Sequence, residues 1–345
     1  MHKHTQRAVA QKDLAIFMTE DDHQYLLAQV ASMYYEQEKS QNEIGVELGL
    51  SRVKVYRLLK EAREEDVVRI IINWPIERVP QLEEQFAKAF HLKEALILKS
   101  SQSESRTALQ QMGQMAARYL QSILKNGMTL SVCVGGSTYE VIHAIEIRSD
   151  IHVNVVQAMG STPFTVHFMD SSALARELSR KLGGEVIYLP APFLANNQEE
   201  AVILRKQESI ARTLRTARTS DILLVGIGAF NNPALSRFVE SGIIPVEELQ
   251  AITDNGAVGD IGGRIFTLTG SCHSNSFNDR MIGLTLEEMK QIPYSIAAAI
   301  GKNKAEAILG GLRTGVIDVL CTDSDTAQEV LKLNESAPVL LEPIQ

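Results

Sequence analysis

Cysteine is scarce in this chain, and its three copies, Cys133, Cys272 and Cys321, stand far apart. An odd number without CxxC spacing gives neither a disulfide framework nor a thiolate zinc centre. The expectation is a reduced, cytoplasmic chain in which each cysteine is buried filler. His143, His152, His167 and His273 show no ligand spacing either, so no metal is expected. No apolar run approaches the length of a membrane span, and the first twenty residues lack a signal-peptide core. A flexible extension over residues 1–20, with a helical turn around Leu14 to Met18, is expected there instead. Positive charge is in deficit: the net charge of −8 argues against non-specific coating of nucleic acid, so a DNA site would have to be a local basic patch. Catalytic signatures are missing as well. There is no Walker lysine motif and no GxSxG, and Gly226-Ile227-Gly228 fails as a dinucleotide loop because Asn231 stands where the third glycine belongs. No cofactor is implied, and no internal repeat or low-complexity tract is visible.

What remains is ample for two globular domains. The chain has 345 residues, 45% of them hydrophobic, and a mean hydropathy of −0.05. The most informative stretch is Ser40 to Glu65. Ser40 followed by Glu43 is a capping box, which starts a helix at Gln41 with Ile44 and Leu48 on one face. Gly49 supplies the left-handed residue that ends it. Ser51 then caps a second helix, whose Val55, Leu58, Leu59 and Ala62 form an inward stripe. The remaining face carries Arg52, Val53, Lys54, Tyr56, Arg57, Lys60 and Arg63. Five basic against two acidic residues between Ser51 and Glu64 suit a helix lying against phosphates. This is the spacing of a helix-turn-helix, with the second helix in the major groove. Ser51, Arg52, Val53, Lys54, Tyr56 and Arg57 are therefore the candidate DNA contacts. A preceding helix over Asp21–Glu38 would complete a three-helix core, and Asp66 to Trp74, DVVRIIINW, reads as a wing strand. Pro75 and Pro80 bracket the boundary, which gives a DNA-binding domain over 21–75 and a second domain over 80–345.

Beyond a helix at Pro80–Phe90, which could also serve as an intersubunit coil, apolar strands alternate with helices. Strands are expected near Ala95–Leu98, Met128–Val134, His152–Gln157, Glu185–Leu189, Ile222–Val225, Arg264–Leu268, Ser295–Ile300 and Val316–Cys321. Helices are expected over Glu104–Leu124, Ser171–Leu182, Glu199–Thr216 and Asn303–Arg313. That pattern is an α/β, doubly wound, mostly parallel sheet, which binds ligands at the carboxyl ends of its strands. Three segments fall there. Gly135-Gly136-Ser137-Thr138 joins a strand to a helix, where glycines, hydroxyls and free N–H groups favour an anion; a plain capped turn is the alternative. Gly301-Lys302-Asn303-Lys304 puts lysines in a first helical turn, against the macrodipole, unless a bound phosphate or simple exposure accounts for them. Gly256 to Gly263 reads as a flexible run whose one carboxylate, Asp260, either reaches sugar hydroxyls or caps a turn.

Taken together, the helix-turn-helix, VGGST, YLPAP, DILLVGIGA, GAVGDIGGRIF and GKNKAEAILGGLRTGVIDVLCTD resemble the SorC family of sugar-responsive bacterial regulators over roughly Tyr25 to Leu331. The resemblance implies a winged DNA-binding domain joined to an effector domain similar to sugar-phosphate isomerases. It implies operator DNA and a sugar or sugar phosphate as partners and assembly as a homotetramer, while the lack of a long apolar run already leaves no membrane partner expected. Gly136, Ser137, Thr138, Asp260 and Lys304 carry over as effector contacts. Tyr56, Met159 and Thr267 depart from the usual family residues. The function expected is regulation of a carbohydrate-utilisation operon. A sugar-phosphate isomerase or deaminase is the alternative, since Asp260 and Lys304 would permit proton transfer. Against it stand the DNA-binding head and the lack of a base–nucleophile set.

Overall fold

The computed structural model describes residues 20–65, 67–68, 70, 72–100, 105–133, 135–148, 150–161 and 171–336. The expected N-terminal extension with its helical turn lies outside them. The chain divides between Ile72 and Asn73 into two compact units.

Among its described residues the first unit holds three helices, α1 (Glu20–Tyr35), α2 (Gln41–Leu48) and α3 (Arg52–Glu64). Ser40 and Glu43 close the capping box that starts α2, and Gly49 ends it with φ 68°. Ser51 accepts the Lys54 N–H and starts α3. Gly45 brings the turn close, since a Cβ there would lie 2.7 Å from the Leu50 carbonyl oxygen. Leu27, Val30 and Met33 of α1, Ile44 of α2, and Val55, Leu58, Leu59 and Ala62 of α3 form one buried core. Each large member contributes roughly 1.5–3 kcal/mol by leaving water. His23 Nε2 lies 2.7 Å from Glu61 Oε1 and ties α1 to α3.

The wing strand expected over Asp66–Trp74 is not formed among its described residues. Val67 and Val68 pack on the helical core instead, with the Val68 N–H donating to the Ala62 carbonyl at 2.9 Å. A strand needs a ladder partner for its backbone groups, and none pairs with this segment among the described residues.

The second unit is built on seven parallel strands: β1 (Glu94–Leu98), β2 (Thr129–Val132), β3 (Val153–Gln157), β4 (Gly183–Ile187), β5 (Ile222–Ala229), β8 (Ser295–Ala298) and β9 (Val319–Asp323), in the spatial order 1-9-8-5-2-3-4. An antiparallel hairpin, β6 (Ala257–Ile261) and β7 (Arg264–Thr267), extends from the end of β5. Successive strand residues alternate between two separate cores: Leu96, Leu130, Val155 and Leu224 face one, and Ala95, Ile97, Val156, Leu223 and Val225 the other. Both faces are covered, which is why the strands read as continuous apolar runs. The first core takes α5 (Ser105–Ile123), α6 (Gly136–Ala144) and α7 (Ser171–Lys181). The second takes α4 (Pro80–Phe90), α8 (Gln198–Lys206), α9 (Glu208–Arg218), α14 (Ala305–Arg313) and α15 (Ser324–Ser336), together with the short helices α10 (Arg237–Glu240), α11 (Val246–Asp254), α12 (Ser276–Arg280) and α13 (Leu286–Lys290).

Two further expectations change. The helix over Glu199–Thr216 is broken at Gln207 (φ −60°, ψ 130°), with α8 packed on α12 and α9 on β3. Tertiary packing sets that corner. The glycine run at 256–263 is not a flexible loop but a paired hairpin. Gly262 and Gly263 both have positive φ, 55° and 85°, which a two-residue primed turn requires.

Candidate effector site

β2 continues to β3 and β4 on one side, while β5, β8 and β9 build outward on the other, so the order reverses between β2 and β5. Connections on the two sides of such a point leave a crevice at the carboxyl ends. A cavity of about 1040 Å³ opens there, lined by residues that follow β1, β2, β5, β8 and β9.

The loop after β2 contributes Gly135, Gly136 and Ser137 to its wall. Gly136 opens α6, so its N–H and that of Ser137 belong to the unsatisfied first turn of a helix. Thr138 does not face the cavity. It is fully buried, its hydroxyl accepts the Gly135 N–H at 2.7 Å and lies 2.9 Å from the Gly135 carbonyl oxygen, and it holds the loop in shape.

Asp260 projects from β6 opposite Gly228 of β5. A Cβ at Gly228 would lie 1.9 Å from Asp260 Oδ1, so the carboxylate occupies the space that this glycine leaves. Oδ2 accepts the Gly263 N–H at 3.0 Å. Burial pushes the carboxyl up to about 6, against the pull of that N–H, Lys304 and Arg237. Lys304, at the start of α14, donates to the Ile227 carbonyl at 3.2 Å. Burial lowers its ammonium pKa, Asp260 opposes the shift, and Arg237 adds to it. Lys302 has a different role: it is exposed and pairs with Asp325 at 3.1 Å.

One residue of the site has no sequence signal. Arg237, in a four-residue helix, packs its Nη2 3.2 Å from where a Gly136 Cβ would be, and burial lowers its pKa against the fields of Glu240 and Asp260. Two partly desolvated cations and a helix N-terminus therefore surround one carboxylate, an arrangement that can hold an anion beside a hydroxyl-bearing group. Gly136, Ser137, Asp260 and Lys304 are brought together, and Arg237 joins them.

Residues 75–332 match the sugar-binding domain family. The chain belongs to the SorC family of sugar-binding transcriptional regulators. The transcriptional regulator LsrR of Enterobacter sp. (strain 638) is 31% identical over 319 residues, covering 92% of this chain and 94% of that protein. The full-length sorbitol operon regulator SorC from Klebsiella pneumoniae matches 90% of this chain and 99% of its own, at 26% identity and a TM-score of 0.67. The sugar-binding domain of a transcriptional repressor from Vibrio fischeri covers 74% of this chain and 100% of its own, at 33% identity and a TM-score of 0.68. Membership makes the chain a regulator with a sugar effector rather than an isomerase, and gives DNA and a sugar as its partners. No helix among the described residues is long and apolar enough to cross a membrane.

In this family member the candidate DNA contacts lie on the first unit, on one helix. Ser51, Arg52, Lys54 and Arg57 are exposed, as are Val53 (60%) and Tyr56 (53%). Among the described residues no ion pair engages Arg52, Lys54 or Arg57, whereas Lys60 pairs with Glu64 at 3.4 Å.

Proposed function

We propose that this regulator reads operator DNA with α3 and is controlled by a phosphorylated sugar bound in the cavity of the second unit. The phosphate sits on the Gly136 and Ser137 N–H groups, with Lys304 and Arg237 as countercharges, and Asp260 accepts hydrogen bonds from the sugar hydroxyls. The observation that carries this reading is the convergence of those groups, from four separate segments, on one cavity at the switch point of the sheet. Ser51, Arg52, Lys54 and Arg57 meet phosphates or bases, and Val53 and Tyr56 face base edges. The head runs to Pro75, and the part from Pro80 binds effector and forms a homo-oligomer, because one recognition helix spans too few base pairs and paired half-sites need paired heads; the family resemblance makes that oligomer a tetramer. The regulated genes form a carbohydrate-utilisation operon, in keeping with the sorbitol operon regulator among its relatives, and the protein acts in the cytoplasm. Calorimetric titration of hexose and pentose monophosphates into wild type, Lys304→Ala and Asp260→Ala tests the site. Both variants should bind weakly; binding as tight as wild type in both places the pocket elsewhere.

A further inference from the structure

We propose that Gln111 is a further effector contact, and that α5 passes the occupancy of the cavity to the linker that follows the first unit. This rests on the effector reading above. Gln111 lines the cavity, and its Nε2 donates to the Pro75 carbonyl at 3.0 Å. One turn further along α5, Gln114 Oε1 accepts the Trp74 N–H at 3.2 Å. Two glutamines of one helix therefore hold the backbone of Trp74 and Pro75, just past the Ile72/Asn73 division.

Between them lies Gly113, where α5 meets α6 backbone to backbone. A Cβ at Gly113 would be 2.7 Å from Glu140 Cβ and 2.9 Å from the Glu140 carbonyl oxygen, closer than side chains permit. Helices in such contact shift together, because a close-packed interface leaves no slack. α6 is the helix whose first turn receives the phosphate. The effector thus acts on α5 in two ways, through α6 and through the Gln111 amide itself.

The amide has two donors and one acceptor carbonyl. A polyol hydroxyl satisfies both kinds of group, and the orientation that serves it best differs from the one that serves Pro75. A ligand that binds more tightly when Gln111 turns toward it must weaken the grip on the linker by the same free energy. A ligand that merely filled the cavity without meeting Gln111 or moving α6 would change nothing at Trp74.

Trp74 is the chain's single tryptophan and is half-buried, so its fluorescence reports on this linker alone. The experiment titrates hexose and pentose monophosphates, with inorganic phosphate as control, into full-length protein while recording Trp74 emission and heat in parallel. Variants are Gln111→Met, which keeps the length without the amide, and Gln111→Met/Gln114→Met; melting curves verify that both are folded. For wild type, the emission change should saturate at the calorimetric Kd. In Gln111→Met, Kd should rise about threefold to tenfold, as expected for one neutral hydrogen bond. The emission change should fall by at least half there and vanish in the double variant, although heat of binding persists. Binding by heat with no change at Trp74 in wild type, or an undiminished change in the double variant, overturns the inference. If no sugar phosphate produces heat in wild type, the effector reading fails and this one falls with it.

Discussion

Asp260→Asn should make the protein more stable while abolishing its response to effector. Burial raises the folded carboxyl from 3.8 to about 6, so on raising the pH the unfolded chain ionises first. The contribution of this group to stability is full below 3.8 and is lost as pH climbs through about 6. At 1.36 kcal/mol per pH unit the loss reaches about 3 kcal/mol near pH 8, and about half of that near pH 5. Asn mimics the protonated carboxyl, and its Oδ1 can still accept the Gly263 N–H, so the hairpin turn is kept. For a unit of this size each kcal/mol moves Tm by roughly 2–4 °C, which sets a ceiling of roughly 6–12 °C near pH 8. Calorimetric melts of both proteins at pH 5, 6.5 and 8 check this. A gap with no pH slope, or an Asn variant that is less stable at pH 8, would refute the account of Asp260 as a desolvated carboxylate held in place for a ligand. A gain in stability with loss of binding is the usual signature of a strained functional site.

Lys304→Ala should weaken sugar-phosphate binding, because it removes a charge-assisted contact; equal Kd values by calorimetry would exclude that role. Gly228→Ala places a Cβ 1.9 Å from Asp260 Oδ1 and must expel the carboxylate, so effector binding should fail although the sheet remains, as circular dichroism would report. Replacing Arg52, Lys54 and Arg57 together by Ala should flatten the slope of log affinity against log salt by about 2.7 for each recognition helix engaged, at about 0.9 per phosphate contact, in gel-shift titrations; an unchanged slope removes α3 from the backbone. Light scattering should find a homo-oligomer, and a monomer at micromolar concentration with and without DNA would contradict paired heads.

Local chemistry was legible in the chain wherever neighbours a few residues apart decide the outcome. Ser40 with Glu43, Gly49 and Ser51 mark the helix ends of the first unit, and the stripe Val55, Leu58, Leu59 and Ala62 is buried as its spacing requires. The alternation of apolar strands with helices likewise announced a covered parallel sheet, because only such a sheet buries both strand faces. What depends on partners distant in sequence was not legible. Whether 66–74 is a strand depends on a ladder partner, whether 199–216 is one helix or two depends on what each half packs against, and the hairpin at 257–267 exists because β5 offers it an edge. The site follows the same division. Its glycine loop and Lys304 stood out through helix-start chemistry, while Asp260, which its setting among glycines left open between a sugar contact and a turn cap, was singled out by the family resemblance. Arg237 and the space under Asp260 were not legible, since a guanidinium beside Gly136 and a missing Cβ at Gly228 acquire meaning only once segments about one hundred and about thirty residues apart, respectively, are folded against each other.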